Sequence, residues 1–164
     1  EDPIYYPLHL CDFMLVLSSI ALLTRKQLVF EICFYWGLFA GLSALVNPIF
    51  SYEASLYYLI NFYVSHGIII LTPLWAVFVF GMRPRRFSHL RIYLISHLLI
   101  PVFYGVNTLL GSNYMFIMEI PHSPVGKLVF PHSVLFFQAL IFVSFMILSG
   151  FAKLIDKFTY SQTA

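Results

Sequence analysis

The sequence predicts an all-α membrane protein, a polytopic bundle of transmembrane helices. Of its 164 residues, 60% are hydrophobic and only 10% are charged, which is more apolar surface than a soluble domain of this length can bury. Apolar runs of about 20 residues recur along the chain, and each is long enough to cross a bilayer. Five such spans are predicted, packed as a single domain over residues 1–158 with a polar tail over residues 159–164.

The five predicted spans, A to E, are separated by charged, proline-containing or glycine-containing connections. In order, they cover Tyr5–Thr24, Gln27–Val46, Ala54–Gly81, Phe87–Leu110 and His132–Leu154. Pro7 falls in the first turn of span A, where a proline is tolerated because its missing N–H would have no helical partner anyway. Pro73 lies inside span C, where it predicts a kink.

The basic residues fall almost entirely on one side of this topology. Of the nine Lys and Arg residues, only Lys127 lies in a connection on the opposite side. Short cytoplasmic connections carry an excess of Lys and Arg, so we expect the basic connections and the C-terminus to be cytoplasmic. Because the cations are few and lie between spans, no nucleic-acid partner is expected. Membrane lipids are the expected partners.

Polar side chains inside the spans gather in the half opposite the basic connections. At about 1.5 Å per residue, His9, Cys11 and Asp12 are expected about 6–11 Å from the outer end of span A, and His66 about 18 Å into span C. Such a distribution predicts a polar-lined cavity between the helices. Further candidates for its substrate-binding lining are Asn47, Asn61, His97, Asn107 and Asn113.

Cys11 and His66 are the candidate catalytic pair. A cysteine becomes nucleophilic as the thiolate, which a helix N-terminus and an adjacent imidazole both favour. His66 would then act as the base, with Asp12 or His9 orienting its ring. No metal-binding or cofactor-binding motif is present, so no cofactor is expected, although His9, Asp12 and His66 would be the set to hold a metal.

The same residues also fit structural roles. His9 and Asp12 share a helix face, so they could simply form a buried polar pair. His66 could hydrogen-bond across helices, with the adjacent Gly67 allowing another helix to approach closely. Cys33, in span B, is interpreted as an ordinary small hydrophobic residue.

Three ordered motifs give the chain a family resemblance. They are Leu8-His9-Leu10-Cys11-Asp12, then Tyr63-Val64-Ser65-His66-Gly67 followed by Thr72-Pro73-Leu74, and finally Gly111-Ser112-Asn113-Tyr114-Met115. Together they resemble the bacterial YwaF-type integral membrane proteins, which are related to the eukaryotic transmembrane protein 164 family. Members carry a further helix before the first motif, so the resemblance implies a sixth helix ahead of this chain and a bacterial plasma membrane as its location.

The resemblance also implies a function. The eukaryotic relatives are described as phospholipid acyltransferases that use a cysteine in the first motif and a histidine in the third helix. Carried onto this sequence, those positions are Cys11 as nucleophile and His66 as base. Asp12 occupies a position where the eukaryotic relatives have a different polar residue. The resemblance therefore does not identify the residue that would orient the imidazole of His66.

Two other functions fit the same pattern. The outer cavity could bind or transport a small polar solute, with Pro73 and Pro101 supplying the broken helices that such sites use. The chain could also be an accessory subunit of a larger membrane complex, with its polar groups only joining helices. Lipid acyl transfer at Cys11 and His66 is the function that the sequence favours.

Overall fold

The computed structural model describes residues 7–48, 55–118 and 134–160, and the regular elements within these ranges are helical. We number the α-helices α1 to α6. They are α1 (Leu10–Thr24), α2 (Gln27–Ile32), α3 (Leu38–Val46), α4 (Leu56–Phe78), α5 (Ser88–Leu110) and α6 (Val134–Tyr160). A π-helical turn, Cys33–Gly37, joins α2 to α3, and a short 3₁₀ turn, Tyr114–Phe116, follows α5.

Four segments are long and apolar enough to cross a bilayer: Gln27–Val46, Leu56–Phe78, Ser88–Leu110 and Ala139–Lys157. The first combines α2, the π turn and α3, and its bounds are those predicted for span B. Many large apolar side chains on α4, α5 and α6 are exposed, as expected for surfaces that face lipid. The chain is therefore an integral membrane protein whose helices contact lipid.

The first helix is shorter than predicted. It begins at Leu10 rather than Tyr5, and Pro7 precedes the helix instead of lying in its first turn. The reason is local: His9 has an extended backbone, and its N–H donates to the carboxylate of Asp12 at 3.0 Å, which closes the helix start there. With 15 residues, α1 is about 22 Å long, less than the hydrocarbon thickness of about 30 Å.

Three other predicted ends shift by one to three residues, and the end of span E shifts by six. Span C becomes Leu56–Phe78, and span D begins at Ser88 after Phe87 takes a left-handed conformation with φ of 61°. Helix α6 continues to Tyr160, so it includes the first two residues of the predicted tail. Ala54, His132 and the remainder of the tail lie outside the described residues.

Two glycines of the segment Gln27–Val46 lie close against α4. A Cβ on Gly37 would lie 3.1 Å from the backbone oxygen of Ile69, and one on Gly41 would lie 2.8 Å from the Ile70 side chain. Pro73 has no N–H to donate to the Ile69 carbonyl four residues earlier. Gly37 therefore lies against the Ile69 carbonyl, which receives no helical hydrogen bond from Pro73. Small residues such as glycine permit this close approach between membrane helices.

Gly67 does not have the packing role expected for it. A Cβ at this position would meet nothing within 4 Å, so no helix among the described residues approaches α4 there. The small residues that matter for helix packing are Gly37 and Gly41, four positions apart on the partner helix.

The π turn directs two aromatic residues with polar groups towards the last two helices. The hydroxyl of Tyr35 lies 2.9 Å from Ser88 Oγ and 3.1 Å from Ser149 Oγ, and Trp36 Nε1 donates to Ser96 Oγ at 2.8 Å. Tyr35 is fully buried. A π turn places five residues where an α-helix would place four, so it brings both side chains onto the faces of α5 and α6.

Glu31 is the buried charge of the fold. Its side chain is 0% exposed and accepts three hydrogen bonds from Arg85, each 2.9 Å long, through the backbone N–H, Nε and a terminal nitrogen. Gln27 also donates to it at 3.1 Å. The hydrogen bonding with Glu31 raises the pKa of the Arg85 guanidinium above its ordinary value. A charged carboxylate buried in this way ties α2 to the connection between α4 and α5.

Candidate active site

Cys11 occupies the second position of α1, directly after the His9 cap and Leu10. It is half-buried, whereas the second cysteine, Cys33, is completely buried in the core. The early start of α1 puts Cys11 in its first turn, nearer the helix end than the predicted depth of about 6–11 Å.

His66 reaches Cys11 from the middle of α4. Its Nε2 lies 3.1 Å from the sulfur of Cys11, although the two residues are 55 positions apart in the chain. Only 6% of His66 is exposed. Helices α1 and α4 pack along each other, and this packing places the imidazole beside the N-terminal turn of α1.

The hydrogen bond of His66 Nδ1 determines which ring nitrogen can accept a proton. Nδ1 lies 2.8 Å from the backbone carbonyl oxygen of Phe62, which is an acceptor only, so Nδ1 carries the hydrogen and donates it. In the neutral imidazole this leaves the lone pair on Nε2, the nitrogen that faces the thiol. The S–H of Cys11 can therefore donate to a nitrogen that is ready to take its proton.

Neither Asp12 nor His9 orients the imidazole. Both ring nitrogens of His66 have other partners, and the orienting group is the Phe62 carbonyl, one turn earlier in the same helix. Asp12 instead accepts from the backbone N–H of His9. The two residues therefore interact through a capping contact between a side chain and the backbone, and a pairing of their side chains stays a prediction.

His9 connects the site to the segment that follows α5. Its ring packs edge-on against Tyr114, with 5.1 Å between centroids. Tyr114 is held in turn by Asn107: the Asn107 amide donates to the Tyr114 carbonyl at 3.0 Å and accepts from the Tyr114 N–H at 2.7 Å. Ser112 donates to the same amide oxygen. Asn107 therefore holds this segment against the start of α1, and a substrate contact for its amide stays a prediction.

The other predicted lining residues do not converge on Cys11 and His66. Asn47 ends α3, Asn61 is exposed on α4, and His97 donates from Nδ1 to the Tyr93 carbonyl within α5. Asn113 accepts from the backbone N–H of Met118. The substrate-binding role expected for these four residues stays a prediction.

A shallow cavity of about 490 Å³ lies at the end of α5. Its lining comprises Asn107, Thr108, Gly111, Ser112, Asn113 and Met118. Cys11 and His66 are not among these residues. Within the described ranges no three His, Cys, Asp or Glu side chains come together as a metal site, so the set of His9, Asp12 and His66 is not assembled.

Comparison with known proteins gives a family assignment. The model of the TMEM164 family matches residues 3–149. The chain belongs to the TMEM164 family. No curated protein and no solved structure matched it. The matched range includes Cys11, His66 and the Asn107–Tyr114 segment, so the whole arrangement described above lies within the TMEM164 region. The closer likeness to the bacterial YwaF-type branch stays a prediction.

Sequence reasoning missed two residues of the candidate site in this TMEM164-family chain. Phe62 supplies the carbonyl bonded to Nδ1, and its ring lies 4.1 Å from the imidazole centroid. A histidine and a residue four positions earlier always share a helix face, and that spacing was the available signal. Tyr114 belongs to the third motif, and nothing in the sequence indicates that it lies beside His9.

Proposed function

We propose that this protein transfers acyl groups between membrane lipids through a covalent thioester on Cys11, with His66 as general base and acid. The observation that carries the proposal is the 3.1 Å contact between Sγ and Nε2, combined with an Nδ1 hydrogen already donated to Phe62. Nucleophile and base are then within hydrogen-bond reach, and the base is oriented by a third group.

The first half-reaction forms the thioester. His66 Nε2 takes the thiol proton as Sγ attacks the ester carbonyl of a phospholipid. The bond between the carbonyl carbon and the glycerol oxygen then breaks, and His66 returns the proton to that oxygen. The products are acyl-Cys11 and a lysophospholipid, so atoms and charge balance.

The second half-reaction releases the acyl group. A hydroxyl of another lysolipid, or water, attacks the thioester while His66 removes its proton. The sulfur leaves and regains a proton from the imidazolium. His66 thus serves each half-reaction as base and then as acid, a contribution typically worth about 10²–10⁴-fold.

The start of α1 supplies donors for the oxyanion that forms in each step. The N–H groups of Leu10 and Cys11 belong to the first turn, where a helix offers no carbonyl acceptor of its own. The N–H groups of His9 and Asp12 are already bonded, to the Asp12 carboxylate and to the His9 carbonyl. Leu10 and Cys11 are therefore our candidate oxyanion donors.

The test uses the purified chain with a phospholipid labelled in its acyl chain and an unlabelled lysophospholipid acceptor. We expect labelled diacyl product and a hydroxylamine-sensitive acyl adduct on the peptide that contains Cys11. Cys11→Ala should abolish both, and His66→Gln should slow transfer by about 10²-fold or more. Cys33→Ser is the matched control and should retain transfer. Unchanged transfer in Cys11→Ala would refute the proposal.

A further inference from the structure

The basic connections meet at one end of the bundle, which we call the basic end. Gln27 donates to the Arg83 carbonyl at 2.8 Å, and this bond joins the turn after α1 to the turn after α4. Arg83 Nε donates to Asp156, which adds the last turns of α6. Contacts between residues far apart in sequence therefore assemble cations from two connections and from the end of α6 on one surface.

Only two carboxylates accompany these cations within the described residues. The cations are Arg25, Lys26, Arg83, Arg85, Arg86, Arg91, Lys153 and Lys157, and the carboxylates are Glu31 and Asp156. Both carboxylates are committed: Asp156 binds Arg83, and Glu31 binds Arg85 and lies 3.6 Å from Arg91. These ion pairs involve Arg83, Arg85 and Arg91, which connect parts of the fold. Two carboxylates balance only part of the positive charge at the basic end, so a strong excess of positive charge is left there.

The remaining cations are exposed, and we call them the outer cations: Arg25, Lys26, Arg86, Lys153 and Lys157. Two of them lie on aromatic rings at the ends of spans. The guanidinium of Arg25 is 4.1 Å from the ring centroid of Phe80, and that of Arg86 is 4.8 Å from the ring centroid of Phe87. Aromatic residues and cations in this position lie at the level of lipid headgroups.

We propose that the outer cations form a binding surface for anionic phospholipid headgroups. The surface adjoins helices that are long and apolar enough to cross a bilayer, so the acyl chains of a bound lipid would lie along exposed apolar side chains. Juxtamembrane clusters of Lys and Arg attract anionic lipids in this way. This inference does not depend on acyl transfer at Cys11, which lies at the opposite end of α1.

The experiment compares phosphatidylglycerol with phosphatidylcholine, added to the purified full chain and counted as bound lipid by native mass spectrometry. We expect a preference for phosphatidylglycerol that added salt weakens. A neutral variant, Arg25→Gln with Lys26→Gln and Arg86→Gln, should lose about tenfold or more of that preference. The charge-matched control, Arg25→Lys with Lys26→Arg and Arg86→Lys, should keep it.

Either of two lipid-binding results overturns the proposal. One is equal binding of both lipids by the parent chain, a measurement that requires no variant to fold. The other is an undiminished preference in the neutral variant, with its folding checked by thermal unfolding in a zwitterionic detergent. Inorganic phosphate is included as a competitor, and displacement of the lipid by millimolar phosphate would assign the surface to a soluble anion instead.

Discussion

Phe62 contacts His66 in two ways at once. Its backbone carbonyl accepts the Nδ1 hydrogen at 2.8 Å, and its ring lies against the imidazole with centroids 4.1 Å apart and planes inclined at 37°. One residue therefore sets both the tautomer and the tilt of the ring that faces Cys11. Substituting its side chain removes the ring contact but keeps the carbonyl, so the two effects can be separated.

Phe62→Leu should slow alkylation of Cys11 by an uncharged maleimide at neutral pH by about two- to tenfold, because a stacked aromatic contact is worth about 0.5–1.5 kcal/mol. Phe62→Tyr should react like the parent chain, since it keeps the ring. Val64→Ala, at an exposed position of the same helix, is the control. Equal rates in Phe62→Leu and the parent would show that the ring does not position His66.

The two cysteines should differ in reactivity in the folded protein. Cys11 is half-buried at a helix end beside an imidazole, whereas Cys33 is completely buried within the π turn. We expect mass spectrometry after brief maleimide treatment to find the adduct on Cys11, and both thiols to react after denaturation. Preferential labelling of Cys33 would contradict the packing described for the second span.

Asn107→Leu should loosen the segment after α5. The substitution removes both hydrogen bonds to the Tyr114 backbone and should cost about 1–3 kcal/mol, since it leaves buried polar groups unpaired. Hydrogen exchange over residues 111–118 should rise in this variant. Asn61→Leu, at an exposed position, should leave that exchange unchanged.

Glu31→Gln should lower stability more than Asp156→Asn. Glu31 is 0% exposed, and its replacement weakens a set of charged hydrogen bonds, at a cost of about 1–3 kcal/mol. The Asp156 side chain is 50% exposed, so its ion pair is worth about 0–1 kcal/mol. Thermal unfolding of both variants in one detergent tests the order, and equal midpoints would contradict it.

Gly37→Ala should destabilise the bundle, whereas Gly67→Ala should not. A Cβ at Gly37 would lie 3.1 Å from a backbone oxygen of α4, and backbone moves less readily than a side-chain tip, so the helices must separate. A Cβ at Gly67 meets nothing within 4 Å, and alanine favours a helix over glycine. The unfolding midpoints should fall for the first variant and stay level or rise for the second.

Much of the topology was predictable because it depends on properties that are local in sequence. The bounds of the second span follow from an apolar run between Lys26 and Asn47, and the structure confirms them. The start of α1 was predicted wrongly because hydropathy does not detect a cap: Pro7 and Leu8 are as compatible with lipid as the helix that follows. The π turn was also hidden, since its five residues are as apolar as their neighbours.

The sequence by itself determined that this is a bundle of apolar helices with Cys11 near the start of one helix, because composition and run length decide what lipid accepts. Only the tertiary structure decided that His66 contacts Cys11 and that Asn107 hydrogen-bonds to the backbone of Tyr114. Those contacts depend on how α1 and α4 pack and on how the segment after α5 folds back. The cause is geometric: a residue's spacing fixes its helix face, but the packing between helices decides which faces meet.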